Sequence, residues 1–146
     1  MGAIEAIGIR PGRREEVKSV DHATILNSGI VGDHYDKSEG SRSVTLIGKE
    51  GLLLTWERLG RTDSIDHNLT RRNLLISGID LREAIGKQIR IGENVLLEIT
   101  GKCHPCRRME ENLGKGGTKA LAENAGVTAR VLEEGDIRPG DQVRVV

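Results

Sequence analysis

The sequence predicts a mainly-β fold, a small barrel or sandwich with a few short helices, and three observations carry that expectation. Short aliphatic and β-branched runs recur along the chain, each closed by a turn, and 19 glycines supply the turns. Only one extended stretch, from Lys49 to Leu59, carries the spacing of an amphipathic helix. No long helical segments alternate with the runs, which argues against a parallel α/β sheet. The length of 146 residues suits one domain, residues 1–146, with one sizeable core. The apolar fraction of 36% reaches the ordinary globular range once glycine is counted.

In chain order, Ile4, Ile7 and Ile9 open a β-rich stretch that stops at Pro11-Gly12. Val17, Val20, Ile25 and Leu26 form a second extended region before the turn residues Asn27-Ser28-Gly29. Ser43–Ile47 is a strand between Gly40 and Gly48. In the helix that follows, Leu52, Trp56 and Leu59 recur at 3.6-residue spacing, and Gly60 stops it. Leu74–Ile76 is a short buried strand closed by Ser77-Gly78. Gln88–Ile91, the turn Gly92-Glu93-Asn94 and Val95–Ile99 make a hairpin. A helix is expected over Arg107–Leu113, then a flexible break over Gly114–Thr118 and another short helix over Lys119–Asn124. Ala129–Leu132, a turn near Gly135, Pro139-Gly140 and Gln142–Val146 close the chain with alternating residues.

Lys+Arg and Asp+Glu both number 22, so no basic excess points to nucleic acid. Trp56 and Tyr35 are the only aromatic side chains besides histidine, too few for a base-stacking surface. No apolar run approaches the roughly 18 residues of a membrane span. The N-terminus has no signal-peptide core, and Ala6 leaves the myristoylation pattern incomplete. Two cysteines do not make an extracellular disulfide framework. A cytoplasmic protein with no nucleic-acid or membrane partner is the expectation.

The densest chemical text is Lys102-Cys103-His104-Pro105-Cys106-Arg107-Arg108, between a strand and a helix. Proline favours the first helical position, which would put Cys106 in the first turn. The helix dipole and the neighbouring cations would then favour a thiolate, the form that ligates a soft metal or attacks sulfur. Three plainer readings stand beside it: two structural cysteines in a turn, half of a zinc knuckle, or thioredoxin-like exchange. Structural zinc wants four ligands, and His22, His34 and His67 are scattered. Redox exchange expects a βαβ setting that the pattern lacks. A second cluster, Gly29-Ile30-Val31-Gly32-Asp33-His34, reads as a tight turn presenting polar side chains, or as an ordinary turn with a capping aspartate. A third is Thr70-Arg71-Arg72-Asn73, where arginine donors suit phosphate or carboxylate but paired arginines more often mark a solvated face; Arg42 is similar. Phosphate-loop, nucleophile-elbow and zinc-helix motifs are absent.

Taken in order, these segments resemble a MOSC domain, the type named for the C-terminal domain of molybdenum-cofactor sulfurases. The resemblance rests on Gly29–His34 with Arg42–Ile47, Arg71–Leu74 with Gly78–Leu81, and Ile89–Gly92 with Leu97–Ile99. Pro105-Cys106 and the closing Gly126–Val131 and Gly135–Asp141 complete it. It implies a MOSC-like β-barrel of the stand-alone bacterial type and a site for the molybdenum cofactor, molybdopterin, with an electron-donor or sulfur-donor protein as partner. Carried onto this chain, Cys106 would ligate the metal or carry sulfur, and Cys103 would resolve a persulfide or be the true ligand. Arg71, Arg72 and Asn73 would hold phosphate or pterin, with Arg42 as a weaker candidate. Gly32, Asp33 and His34 would shape one wall. The implied activity is reduction of N-oxygenated substrates or sulfur transfer. The alternative is a non-enzymatic module for a pterin, another anionic ligand or a partner protein. The chain has no aminotransferase-like portion and ends just after the closing Gly-Asp.

Overall fold

The computed structural model describes residues 1–146. Its strands are β1 (Gly2–Ile9), β2 (Lys18–Val20), β3 (Ala23–Leu26), β4 (Gly29–Ile30), β5 (Val44–Gly48), β6 (Leu74–Ser77), β7 (Gln88–Ile91), β8 (Val95–Lys102), β9 (Val127–Glu133), β10 (Gly135–Ile137) and β11 (Gln142–Val145). Three short helices, α1 (Lys49–Arg58), α2 (Arg107–Leu113) and α3 (Gly117–Leu121), accompany them, with 3-10 turns at His67–Thr70 and Ala122–Asn124. The main sheet runs β11-β7-β8-β9-β5-β6-β1, and β11 pairs again with β1, so seven strands close into a barrel. β2 extends β1 beyond the closure, and β10-β3-β4 form a second, small sheet. Closure leaves the seven strands no free edge between β11 and β1.

Side-chain alternation decides what fills the barrel. Ile89, Ile91, Val95, Leu97, Ile99, Val127, Ala129 and Val131 are spaced by two along β7, β8 and β9, and all belong to the interior cluster. β1 departs from this rule, because Ile4 and Ile7 are three apart and both belong to that cluster. A bulge between Ile4 and Ala6 supplies the extra residue and restores the inward face. Ala6 then turns outward, onto a smaller apolar layer.

That layer explains the continuous apolar runs of β5 and β6. Val44 and Leu46 point into the barrel, while Ile47 and Leu75 meet Leu52 and Trp56 of α1, Met109 and Leu113 of α2, and Leu121 of α3. Both strands are thus buried on two faces. They are also parallel to each other, joined through α1, the one parallel pair in the barrel. The expectation against a parallel α/β sheet holds, since every other pair is antiparallel and the α1 crossover is the single place where two neighbouring strands run the same way.

Other elements depart from expectation in detail. The Val17–Leu26 region divides into β2 and β3, which belong to different sheets. The turn near Gly135 is the strand β10, paired with β3 through Gly135–Ile25 and Ile137–Ala23. Gly114–Thr118 is ordered: the Glu110 carboxylate accepts from Gly116 N–H (2.9 Å) and Thr118 N–H (2.8 Å), and α3 starts at Gly117. No helix is long and apolar enough to cross a membrane.

Candidate functional site

Strand register aligns Lys102 with Val127, Val127 with Leu46, Leu46 with Leu74, and Leu74 with Ile7. This row crosses β8, β9, β5, β6 and β1. A few residues from it lie Cys103 and Cys106 after β8, Arg71–Asn73 before β6, and Arg10 after β1.

Asn73 is the centre of the resulting network. Its side chain is fully buried, and its Nδ2 donates to Gly8 O (3.0 Å) and Asp33 Oδ1 (3.1 Å). Its Oδ1 accepts from Thr45 N–H and Thr45 Oγ1, both at 3.1 Å. The amide therefore ties β1, β5 and the Asp33 turn together. His67, also buried, sets its Nε2 3.3 Å from the Asn73 carbonyl oxygen. Burial holds its imidazole below the usual value, against the pull of that carbonyl and of Asp66. All of Asn73's polar side-chain atoms are engaged within the protein, so it positions other groups and offers nothing directly to a ligand.

Asp33 is buried and needs a cation nearby. Arg10 provides it, donating from Nε (3.1 Å) to Oδ1, from Nη2 (2.9 Å) to Oδ2, and from its backbone N–H (2.8 Å). Burial alone would raise the Asp33 carboxyl, but the Arg10 hydrogen bonds and charge outweigh it and hold it low. His34 is exposed, and its backbone N–H donates to Arg10 O (2.7 Å). Partial burial and the charge of Arg10 keep its imidazole low, although Asp33 pulls the other way. Gly32 is exposed with φ at 91°, a left-handed value suited to glycine.

Arg71 and Arg72 diverge. Arg71 closes the 3-10 turn in the left-handed region, with φ at 58°. Its guanidinium holds the Gly12–Glu15 loop, donating to Glu15 O (2.6 Å), Arg13 O (3.1 Å) and Gly12 O (3.2 Å). Arg72 reaches the other way, its Nε donating to Ala125 O (2.7 Å) and its Nη2 to His104 O (3.1 Å). Its Nη1 has no partner within the protein. Beside it, Gly126 has φ at 99°, and a Cβ there would collide with the Leu46 carbonyl oxygen.

The Arg72–His104 bond draws the cysteine segment toward the arginines. Cys103 N–H donates to Gly126 O (2.9 Å), continuing the β8–β9 ladder by one step. Cys106 does not enter the first turn of the helix, contrary to the expectation from Pro105. Its backbone is extended (φ −120°, ψ 169°) and it caps α2, with Pro105 outside. Extended dihedrals are those of an N-cap residue, so Cys106 stands before the first turn and not within it.

The two thiols differ sharply. Cys106 is exposed and Cys103 is buried, and both are free. Burial pushes the Cys103 thiol up, although Arg72, Arg42 and Arg10 draw it down. Cys106 lies within electrostatic reach of Arg71 and Arg72. Arg108, on α2, also faces Arg71 and donates to Arg14 O (2.8 Å). Positive charge from Arg71 and Arg72 thus reaches Cys106, while Asp33 is matched by Arg10 and Arg108 by Glu111 at 3.6 Å. Nowhere do three or more His, Cys, Asp or Glu side chains gather as metal ligands, which gives the zinc-knuckle reading no ligand set.

Sequence reasoning missed Arg10, His67 and Thr45. A buried aspartate signals that some cation must answer it, but the sequence does not say which arginine does.

The model of the MOSC domain family matches residues 33–144. A search of curated proteins finds no match. Among solved structures, the YuaD protein of Bacillus subtilis is similar with a TM-score of 0.87 at 19% identity, covering 99% of this chain and 96% of that one. YiiM of Geobacillus stearothermophilus aligns at 0.80 and 18% identity, over 100% of this chain and 75% of its own. YiiM of Escherichia coli aligns at 0.74 and 14% identity, over 99% and 69%. The structural likenesses carry the barrel fold, the family model spans most of the sequence, and the chain belongs to the MOSC domain family.

Proposed function

We propose that this chain binds the molybdenum cofactor, with Cys106 as the protein ligand to the metal, and acts in reduction of N-oxygenated substrates. The observation that carries the reading is an exposed thiol within electrostatic reach of Arg71 and Arg72, where a buried Asp33 is already neutralised by Arg10. That donor set suits the group: thiolate sulfur is a soft ligand, and guanidinium donors match the phosphate of a pterin cofactor. When bound, the cofactor would supply two-electron oxo-transfer chemistry.

The chain's own residues have distinct parts in this reading. Cys106 offers its sulfur from an extended N-cap position that Arg72 steadies through the His104 carbonyl. Arg72 Nη1 and Arg42 are the donors left for phosphate or pterin. Arg71 is occupied with the Gly12–Glu15 loop and contributes charge, while Asn73 acts as a positioning residue. Gly32 and His34 form an exposed wall next to Arg10. Cys103 is sealed, which argues against its being the ligand or the resolving thiol. In this reading a separate electron-donor protein supplies the electrons.

The test is elemental analysis with pterin fluorescence on protein from cofactor-replete cells, comparing wild type with Cys106→Ala. Molybdenum and pterin should accompany the wild type and fall at least about tenfold in the variant, one metal-ligand bond being worth well over the 1.4 kcal/mol of a tenfold change. Equal metal in both proteins sinks the ligand role. Absence of both from wild type, with cyanide-labile sulfur on Cys106, replaces the reductase with a sulfur carrier.

A further inference from the structure

A groove of about 590 Å³ opens beside the cysteine segment, and Ile99 is the one hydrophobic residue in its lining. Arg42, Lys102, His104 and Arg130 line it, together with the hydroxyls of Thr100 and Thr128. Glu98 is its one acid, and Arg130 Nη1 binds Glu98 Oε1 at 2.6 Å. Arg42 and Lys102 have no acidic partner.

The chain is balanced overall, with 22 acidic and 22 basic side chains, and cations without an ion pair are common on its surface. What sets this groove apart is that two of them, Arg42 and Lys102, line one concavity whose single acid is already held by Arg130. Two unmatched cations facing one concavity repel each other, and a bound anion relieves that repulsion. The groove also adjoins the cysteine site: Arg42 acts electrostatically on Cys103 and Arg72, and Lys102 and His104 flank Cys103 in the chain. Its ammonium and guanidinium donors suit a compact tetrahedral oxyanion, while the Thr100 and Thr128 hydroxyls are engaged with each other and with backbone carbonyls.

We propose that this groove is an oxyanion site for a phosphate-type group, held by Arg42 and Lys102, distinct from the Arg71–Asn73 cluster. It receives the anionic end of a molecule whose other end reaches Cys106. The assignment rests on the cofactor reading for Arg42, which the two share, and adds Lys102; the phosphate titration reads the groove and the metal analysis reads Cys106, so failure of one is distinguishable from failure of the other.

The probe is inorganic phosphate, titrated into cofactor-free protein with both cysteines intact and followed by amide NMR. Saturable shifts are expected at Ser41, Arg42, Thr100, Lys102 and Thr128. Arg42→Ala and Lys102→Ala, both at exposed positions, should each weaken binding about tenfold, the loss of one charge-assisted contact. Shifts spread equally over the basic α1–α3 face at Arg58, Lys115 and Lys119, or unaffected by either substitution, overturn the site. Repeating the titration on cofactor-loaded protein identifies the source. Phosphate excluded by the cofactor means that the cofactor's own phosphate fills the groove; phosphate still bound means a free or substrate oxyanion does. Failure of this titration leaves the Cys106 metal test untouched, and the reverse holds.

Discussion

Replacing Asn73 by alanine separates a structural pin from a ligand contact. The side chain makes four hydrogen bonds: two donated, to Gly8 O and Asp33 Oδ1, and two accepted, from Thr45 N–H and Thr45 Oγ1. In Asn73→Ala the Thr45 amide loses this acceptor inside a fully buried site. A buried unsatisfied group costs roughly 1–3 kcal/mol, and the vacated amide volume adds to that. The Asp33 oxygen keeps Arg10, so the penalties do not simply add. About 3 kcal/mol is the expected loss, a large share of the roughly 5–15 kcal/mol that holds a domain together. For a chain this long each kcal/mol moves the melting temperature by about 3 °C, so Tm should fall by about 10 °C. The assay is urea unfolding and calorimetry of cofactor-free protein, which removes any contribution from ligand binding. Asn73→Asp is the companion: it keeps the shape, loses the donors and faces Asp33, so its deficit should shrink as the pH falls and the new carboxyl protonates. A loss under about 0.5 kcal/mol for Asn73→Ala, accompanied by lost cofactor, would refute the pin and restore Asn73 as a direct contact.

Three further outcomes are expected. His67 is held below the ordinary imidazole value of about 6.5, so the unfolded chain takes up its proton first. Stability should therefore decline as pH drops below about 6.5 and level off once the folded imidazole also protonates, and His67→Gln should remove this phase in pH-dependent urea midpoints. Asp33 is held low, so its contribution is present above the ordinary carboxyl value of about 3.9 and is lost as pH falls through its folded value; a His67→Gln profile unchanged from wild type would contradict the first assignment. In native protein, iodoacetamide should label Cys106 and spare Cys103, and Arg72→Lys, which cannot span both the Ala125 and His104 carbonyls in the same way, should raise Cys103 labelling about tenfold by mass spectrometry. Equal labelling of the two cysteines in wild type would show that the burial assigned to Cys103 is wrong.

Much of the barrel is legible in the sequence because its strands alternate in the ordinary way. β7 and β8 show the hairpin directly, and α1 and α2 show their lengths to within a residue. What escapes is whatever depends on a partner distant in sequence. β10 is three residues long and exists through its pairing with β3, more than a hundred positions earlier. The ordered Gly114–Thr118 segment looks flexible until the Glu110 carboxylate is seen capping it. Among the candidate residues, residue type reveals that Arg71, Arg72 and Asn73 matter but not how. Asparagine and arginine bind backbone carbonyls with the same donors they would offer a phosphate, and only the fold says which partner is present.

The same reasoning separates the cysteines, which sequence leaves equivalent in a Cys-x-x-Cys segment. Cys103 continues the β8 ladder through Gly126 O, which holds it in the protein, and its thiol is pushed up by burial. Three residues later the chain has left the ladder, and Cys106 emerges beside Arg71 and Arg72. A persulfide exchange between them needs the buried Cys103 thiol to become accessible, whereas Cys106 is exposed already. On the proposed reading Cys106 is therefore the working thiol and its neighbour serves the fold, and the labelling contrast between the two is the quantity that checks it.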